Sequence, residues 1–184
     1  MSKKVMVIRH AEKPVPDKVN GVRARGEIDA ASLTTLGWQR AGALVRFFEH
    51  PTYAHIKRPE NLFTVRYDLP DANSSRRPRQ TLRPLSQALG LSINDGFGKE
   101  QESKLVAAVD KLEGTVLIAW SHENILKIVT ALGMESETPA EWPNERFDLG
   151  WVFDRVRSSW KFAQVAQRLL AGDSDAVCPV PGTD

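Results

Sequence analysis

Two stretches of the chain are unbroken apolar runs, residues 5–8 (Val-Met-Val-Ile) and 116–120 (Val-Leu-Ile-Ala-Trp). Runs this short, without polar alternation and rich in β-branched residues, predict strands buried on both faces of a parallel sheet. Between them the spacing turns helical. Leu36, Ala43, Leu44 and Phe47 predict a helix capped by Thr34 or Thr35 that runs to about His50 and is stopped by Pro51. Residues 61–67 predict a strand, and Ser74 or Ser75 can cap a helix reaching Leu89 before Gly90, bent or delayed by Pro78 and Pro84. A short strand is expected over 91–94, a helix over 100–112, and a helix over 124–132 stopped by Gly133. Residues 147–155 and 159–169 predict two late strands, the second ambiguous with a helix.

Strands alternating with helices predict a three-layer α/β/α sandwich around a mostly parallel sheet. Ligands of such sheets bind beyond the carboxyl ends of strands. Arg9 and His10 follow the first buried strand, and Ser121 and His122 follow the second. The other two histidines, His50 and His55, flank a loop-like stretch near Pro51. Residues 11–31 carry two prolines and two glycines and read as a long surface loop, a candidate rim for a site.

Length narrows the organisation: 184 residues suit one domain, expected over 1–170, with a loose tail over 171–184. A composition of 41% hydrophobic and 26% charged residues is that of a soluble globular protein. Twenty-five Lys and Arg against 23 Asp and Glu leave a net charge of +2, too small for a nucleic-acid-coating surface. The single cysteine, Cys178, excludes an intramolecular disulfide framework and a thiolate-rich zinc site. No run is long enough to span a membrane or serve as a signal-peptide core, so a cytoplasmic location is expected. Positive charge is local: Arg76, Arg77, Arg79 and Arg83 cluster at one helix start. Trp120, Trp142 and Trp151 could line a pocket, although large aromatics at strand ends more often belong to core or rim.

Four motifs in order carry a family resemblance. They are Arg9-His10-Ala11-Glu12-Lys13-Pro14, then Leu33-Thr34-Thr35-Leu36-Gly37-Trp38-Gln39-Arg40-Ala41, then Arg77-Pro78-Arg79-Gln80-Thr81, and finally Ser121-His122-Glu123. On these the chain resembles the histidine phosphatase superfamily, which includes the cofactor-dependent phosphoglycerate mutases and many small phosphatases. The resemblance implies a phosphoglycerate mutase-like fold, a phosphohistidine intermediate on His10, no metal and no cofactor. It implies that Arg9 and Arg77 clamp the phosphate of a small-molecule or protein ester, with Lys13 a lesser candidate, while His122 donates to an equatorial oxygen.

Those residue types suit the chemistry. Arginine stays charged and donates paired hydrogen bonds to phosphate oxygens. A nucleophilic imidazole must be neutral at the attacking nitrogen, and a bond from its other nitrogen to a carbonyl would fix that tautomer. The family also needs a carboxyl group to protonate the leaving oxygen. Precedent places it about two dozen residues beyond Arg77, at Glu100 or Glu102; Asp95 follows the third strand, Glu123 follows the second histidine, and Glu12 lies near the nucleophile. Glu100 ranks first, then Asp95 and Glu123. Competing functions are a phosphate-binding regulatory module without turnover, a phosphomutase, disfavoured by the short segment between Arg77 and His122, and a metal hydrolase, disfavoured by the absence of close histidine pairs.

Overall fold

The computed structural model describes residues 3–67 and 75–182. Its strands are β1 (Lys4–Arg9), β2 (Asn61–Val65), β3 (Ile93–Phe97), β4 (Thr115–Trp120), β5 (Leu149–Val156) and β6 (Ser159–Ala166). Its helices are α1 (Thr35–Glu49), α2 (Arg77–Leu89), α3 (Glu102–Asp110) and α4 (His122–Leu132). One sheet takes all six strands in the order β3-β2-β4-β1-β5-β6. The first four are mutually parallel, and β5 and β6 add an antiparallel hairpin at the β1 edge.

The two apolar runs became the two central strands, β1 and β4, every residue of which is buried. Their alternating side chains feed two cores. Met6, Ile8 and Leu117 pack with Leu44, Phe48, Leu82 and Leu85 of α1 and α2 on one face. Val5, Val7, Val116 and Ile118 pack with Leu105, Val109, Ile125 and Ile128 of α3 and α4 on the other. The result is the three-layer α/β/α sandwich with a mostly parallel sheet. From β1 the chain leaves through α1 toward β2, and from β4 through α4 toward β5, on opposite faces. A crevice therefore opens between the carboxyl ends of β1 and β4, where Arg9 pairs with Trp120 in register.

Local chemistry sets the element ends. Thr34 Oγ1 accepts from the Gly37 amide at 3.1 Å and caps α1. Ser75 Oγ accepts from the Arg77 amide at 3.2 Å at the start of α2; Ser74 lies outside the described residues. Pro84 sits within α2 without ending it, and Gly90 and Gly133 close α2 and α4 in the left-handed conformation at φ 67° and 70°.

Several boundaries differ from expectation. The third strand begins at Ile93 rather than residue 91. The helix expected over 100–112 begins only at Glu102, because Glu100 adopts a left-handed backbone, φ 67°, that turns the chain first. Helix α4 begins at His122 rather than 124, since Ser121 is the last extended residue. The ambiguous last segment is a strand, ending at Ala166. The tail expected to be loose is tied down through residue 178. Asp173 accepts from the buried Arg40 at 2.7 and 3.0 Å, and the Gln164 amide pairs with both main-chain groups of Cys178 at 2.7 and 3.1 Å. Long-range partners, invisible in a Gly, Pro and Asp-rich composition, order it.

Gly37 has a specific steric reason. A Cβ there would lie 2.7 Å from the carbonyl oxygen of Glu12 and 3.1 Å from Leu33 Cβ, pressing on the loop that follows His10. Alanine favours helix by about 1 kcal/mol over glycine, whereas overpacking costs about 1–3 kcal/mol. Gly37→Ala should therefore destabilise the protein in urea denaturation by up to about 2 kcal/mol; a stabilised variant would contradict the close approach.

Candidate active site

At the end of β1 the His10 amide donates to the Trp120 carbonyl at 3.1 Å, anchoring the nucleophile candidate across to β4. The imidazole is 5% exposed, and its Nδ1 lies 2.7 Å from the carbonyl oxygen of Ala11. A carbonyl only accepts, so Nδ1 carries the proton and Nε2 keeps its lone pair. Burial pushes the His10 pKa well below the usual histidine value; the Ala11 bond opposes this, and Arg77, Arg9 and His122 add repulsion against a second proton.

The loop behind His10 is braced by residues of the second and third motifs. The Ala11 amide donates to Thr81 Oγ1 at 2.9 Å, and that hydroxyl donates to the Arg77 carbonyl at 2.8 Å. Gln80 accepts from the Leu33 amide at 2.9 Å and donates to Ser32 Oγ at 2.8 Å. The carbonyl of Glu12 accepts from the Thr34 amide at 3.0 Å. The Gln-Thr pair of the third motif thus serves the backbone around the nucleophile.

Arg9 is 1% exposed, and its guanidinium lies over the Phe147 ring at 3.8 Å from the centroid. Its Nη1 donates to the Asn144 carbonyl, while Nε and Nη2 are buried with no partner. Burial lowers its pKa to about 10; it remains a cation. Arg77 Nη1 donates to the Ala30 carbonyl at 3.0 Å, its Nε is buried without a partner, and burial lowers its pKa also. His122 sits at the first position of α4 with Nδ1 buried and unpartnered, its pKa lowered by burial and then by Arg9. Asn144 opposes that shift.

The expected cations and histidines are thus gathered, but the first-ranked acid is not with them. Glu100 is exposed, bonds Lys127 and Asn124, and has its pKa lowered chiefly by Lys127, the wrong direction for a proton donor. Asp95 pairs with Arg79. Glu102 is buried and accepts from Trp120 Nε1 at 3.0 Å. Glu12 accepts from Arg40 at 2.8 and 2.9 Å. Among the described residues Glu123 pairs only with Lys99, at 3.9 Å, and it acts electrostatically on Arg9, Arg77 and His122 alike. Lys13 also acts on His122. Of the remaining cluster, Arg76 pairs with Asp29 at 3.3 Å and Arg83 is exposed. Trp120, Trp142 and Trp151 are core residues, at 0%, 4% and 0% exposure. The pattern places Phe147 at the start of a strand that begins only at Leu149, and it gives neither Asn144 nor Phe147 a role at the site.

The fold matches that of SixA from Agrobacterium tumefaciens, assigned as a phosphohistidine phosphatase, at TM-score 0.51 and 17% identity over 87% of this chain and 95% of that one. It also matches a protein of Escherichia coli K-12 assigned as an alpha-ribazole-5'-P phosphatase, at TM-score 0.52 and 13% identity over 95% of this chain and 98% of that one. A third likeness is to the ecdysone phosphate phosphatase EPPase from Bombix mori, solved with tungstate, at TM-score 0.50 and 12% identity over 99% and 97%. At these identities the likeness is one of fold. No family model and no curated protein matches the chain.

The His10 geometry makes a pH prediction. An unfolded histidine titrates near about 6.5, and the folded value lies below it. The unfolded state therefore binds more protons as pH falls through that range, and stability falls with it. Nitrogen-15 NMR of the anion-free protein should show His10 neutral, with its proton on Nδ1, at pH 6.5. An imidazolium or the other tautomer at that pH would contradict the site.

Proposed function

We propose that the chain is a phosphatase of the histidine phosphatase superfamily, hydrolysing a small-molecule or protein phosphate monoester through a phosphohistidine on His10, without a metal or cofactor. The observation that carries this is a set of buried nitrogens around a neutral imidazole that have no partner among the described residues: Arg9 Nε and Nη2, Arg77 Nε and His122 Nδ1. Buried polar groups are ordinarily satisfied, so three unfilled guanidinium nitrogens with a histidine ring beside them ask for a multivalent oxyanion. A phosphate monoester supplies one.

In this reading His10 Nε2 attacks phosphorus and the bond to the leaving oxygen breaks. Arg9 and Arg77 hold the equatorial oxygens, and His122 adds a donor as charge moves in line. Glu123 gives the leaving oxygen its proton, then takes one from the water that attacks phosphohistidine and releases phosphate. Its side chain is 64% exposed, which gives water access and favours hydrolysis over return to a second hydroxyl. Among the described residues no helix is long and apolar enough to cross a membrane; a cytoplasmic setting belongs to the proposal. A second reading, a phosphate-binding module with little turnover, is favoured by one observation: four of the five candidate carboxylates are engaged elsewhere.

Steady-state assays separate these readings. Wild type should hydrolyse p-nitrophenyl phosphate with EDTA present, and His10→Ala should be slower by about 10³-fold or more. Glu123→Gln should slow an alkyl phosphate by about 10²-fold and the nitrophenyl ester far less, because nitrophenolate leaves without a proton. A wild type no faster than His10→Ala on either ester would sink the enzyme and leave the binding module.

A further inference from the structure

The orientation of Arg9 is set by one short segment outside the motifs, residues 144–147. Asn144 contributes through its carbonyl, which accepts from Arg9 Nη1. The Arg146 carbonyl lies 3.5 Å from the same Nη1. Phe147 covers the guanidinium face, and its ring centroid is 6.2 Å from that of His10.

A guanidinium grips an oxyanion best through an edge that offers two parallel N–H bonds. With Nη1 turned to main-chain carbonyls, the remaining edge is Nε and Nη2, and these are the nitrogens left without partners. Phe147, flat against the same group, keeps it from swinging out of that plane. The segment is itself held firmly. Trp142 Nε1 donates to the Arg146 carbonyl at 2.8 Å, and Arg146 Nε pairs with Asp148 at 2.6 Å. Arg146 Nη2 donates to the Ala176 carbonyl at 2.8 Å, and Asp148 accepts from the Ser174 amide at 2.8 Å. The tail thus fastens the piece that aims Arg9.

We propose that Asn144 and Phe147 are positioning residues for the phosphate site: Phe147 and the Asn144 carbonyl present the Nε–Nη2 edge of Arg9 to the anion. This rests on the phosphatase reading and concerns which residues outside the motifs make the pocket competent.

Titration calorimetry with inorganic phosphate tests it without turnover. Phe147→Leu should weaken phosphate binding about tenfold, while Phe147→Tyr, which keeps the ring face, should stay within about twofold of wild type. In an Arg9→Lys background, where there is no planar fork to orient, Phe147→Leu should add no further loss. Wild-type affinity in Phe147→Leu, an equal loss in Phe147→Tyr, or the same loss in the Arg9→Lys background would overturn the proposal. Should Phe147→Leu fail to fold, Phe147→Met decides: wild-type phosphate affinity overturns it. A wild type that binds no phosphate would bring down the phosphatase reading as well, whereas binding that ignores residue 147 would bring down the positioning alone.

Discussion

Arg9, buried, and Arg77, half-buried, stand beside His10 with buried guanidinium nitrogens that no described residue satisfies. Burying charge without a partner costs several kcal/mol even after relaxation, so the surrounding structure must hold this arrangement in place. It does so through the sheet. β1 and β4 are the most completely buried strands, and their parallel register fixes where Arg9, His10 and His122 emerge. Burial holds His10 unprotonated, and the same cations add to it, so the charge that attracts an anion also helps keep the nucleophile's lone pair free.

The remaining motif residues read as braces for that geometry. Thr81 and Gln80 tie α2 to the loops after β1, and Thr34 ties α1 to Glu12. Gly37 leaves room for the Glu12 carbonyl. Arg40 joins Glu12 of the nucleophile loop to Asp173 of the tail, burying a three-member ion network. That network explains how a segment of loop-like composition comes to be ordered, and why Glu12, close to His10 in sequence, is occupied by structure.

The layers and the strand-end placement of both histidines were legible in the sequence, because unbroken apolar runs and capped helices are local signals. The pocket cations were legible only through ordered motifs. The acid was not. Glu100 sits at the expected spacing, but a left-handed turn and the nearby Lys127 direct its carboxylate to the surface. Asn144 and Phe147 act from an irregular segment whose path depends on Arg146, Asp148 and the tail, contacts separated by dozens of residues.

The central claim is that an oxyanion completes the buried donors in line with His10. A crystal structure with vanadate bound tests this most directly. The account predicts vanadium at bonding distance from His10 Nε2, oxygens on the Nε–Nη2 edge of Arg9, on Arg77 and on His122, and the Glu123 carboxyl facing the apical oxygen opposite His10. Vanadate bound elsewhere, or approached through His122 with His10 turned away, would contradict it.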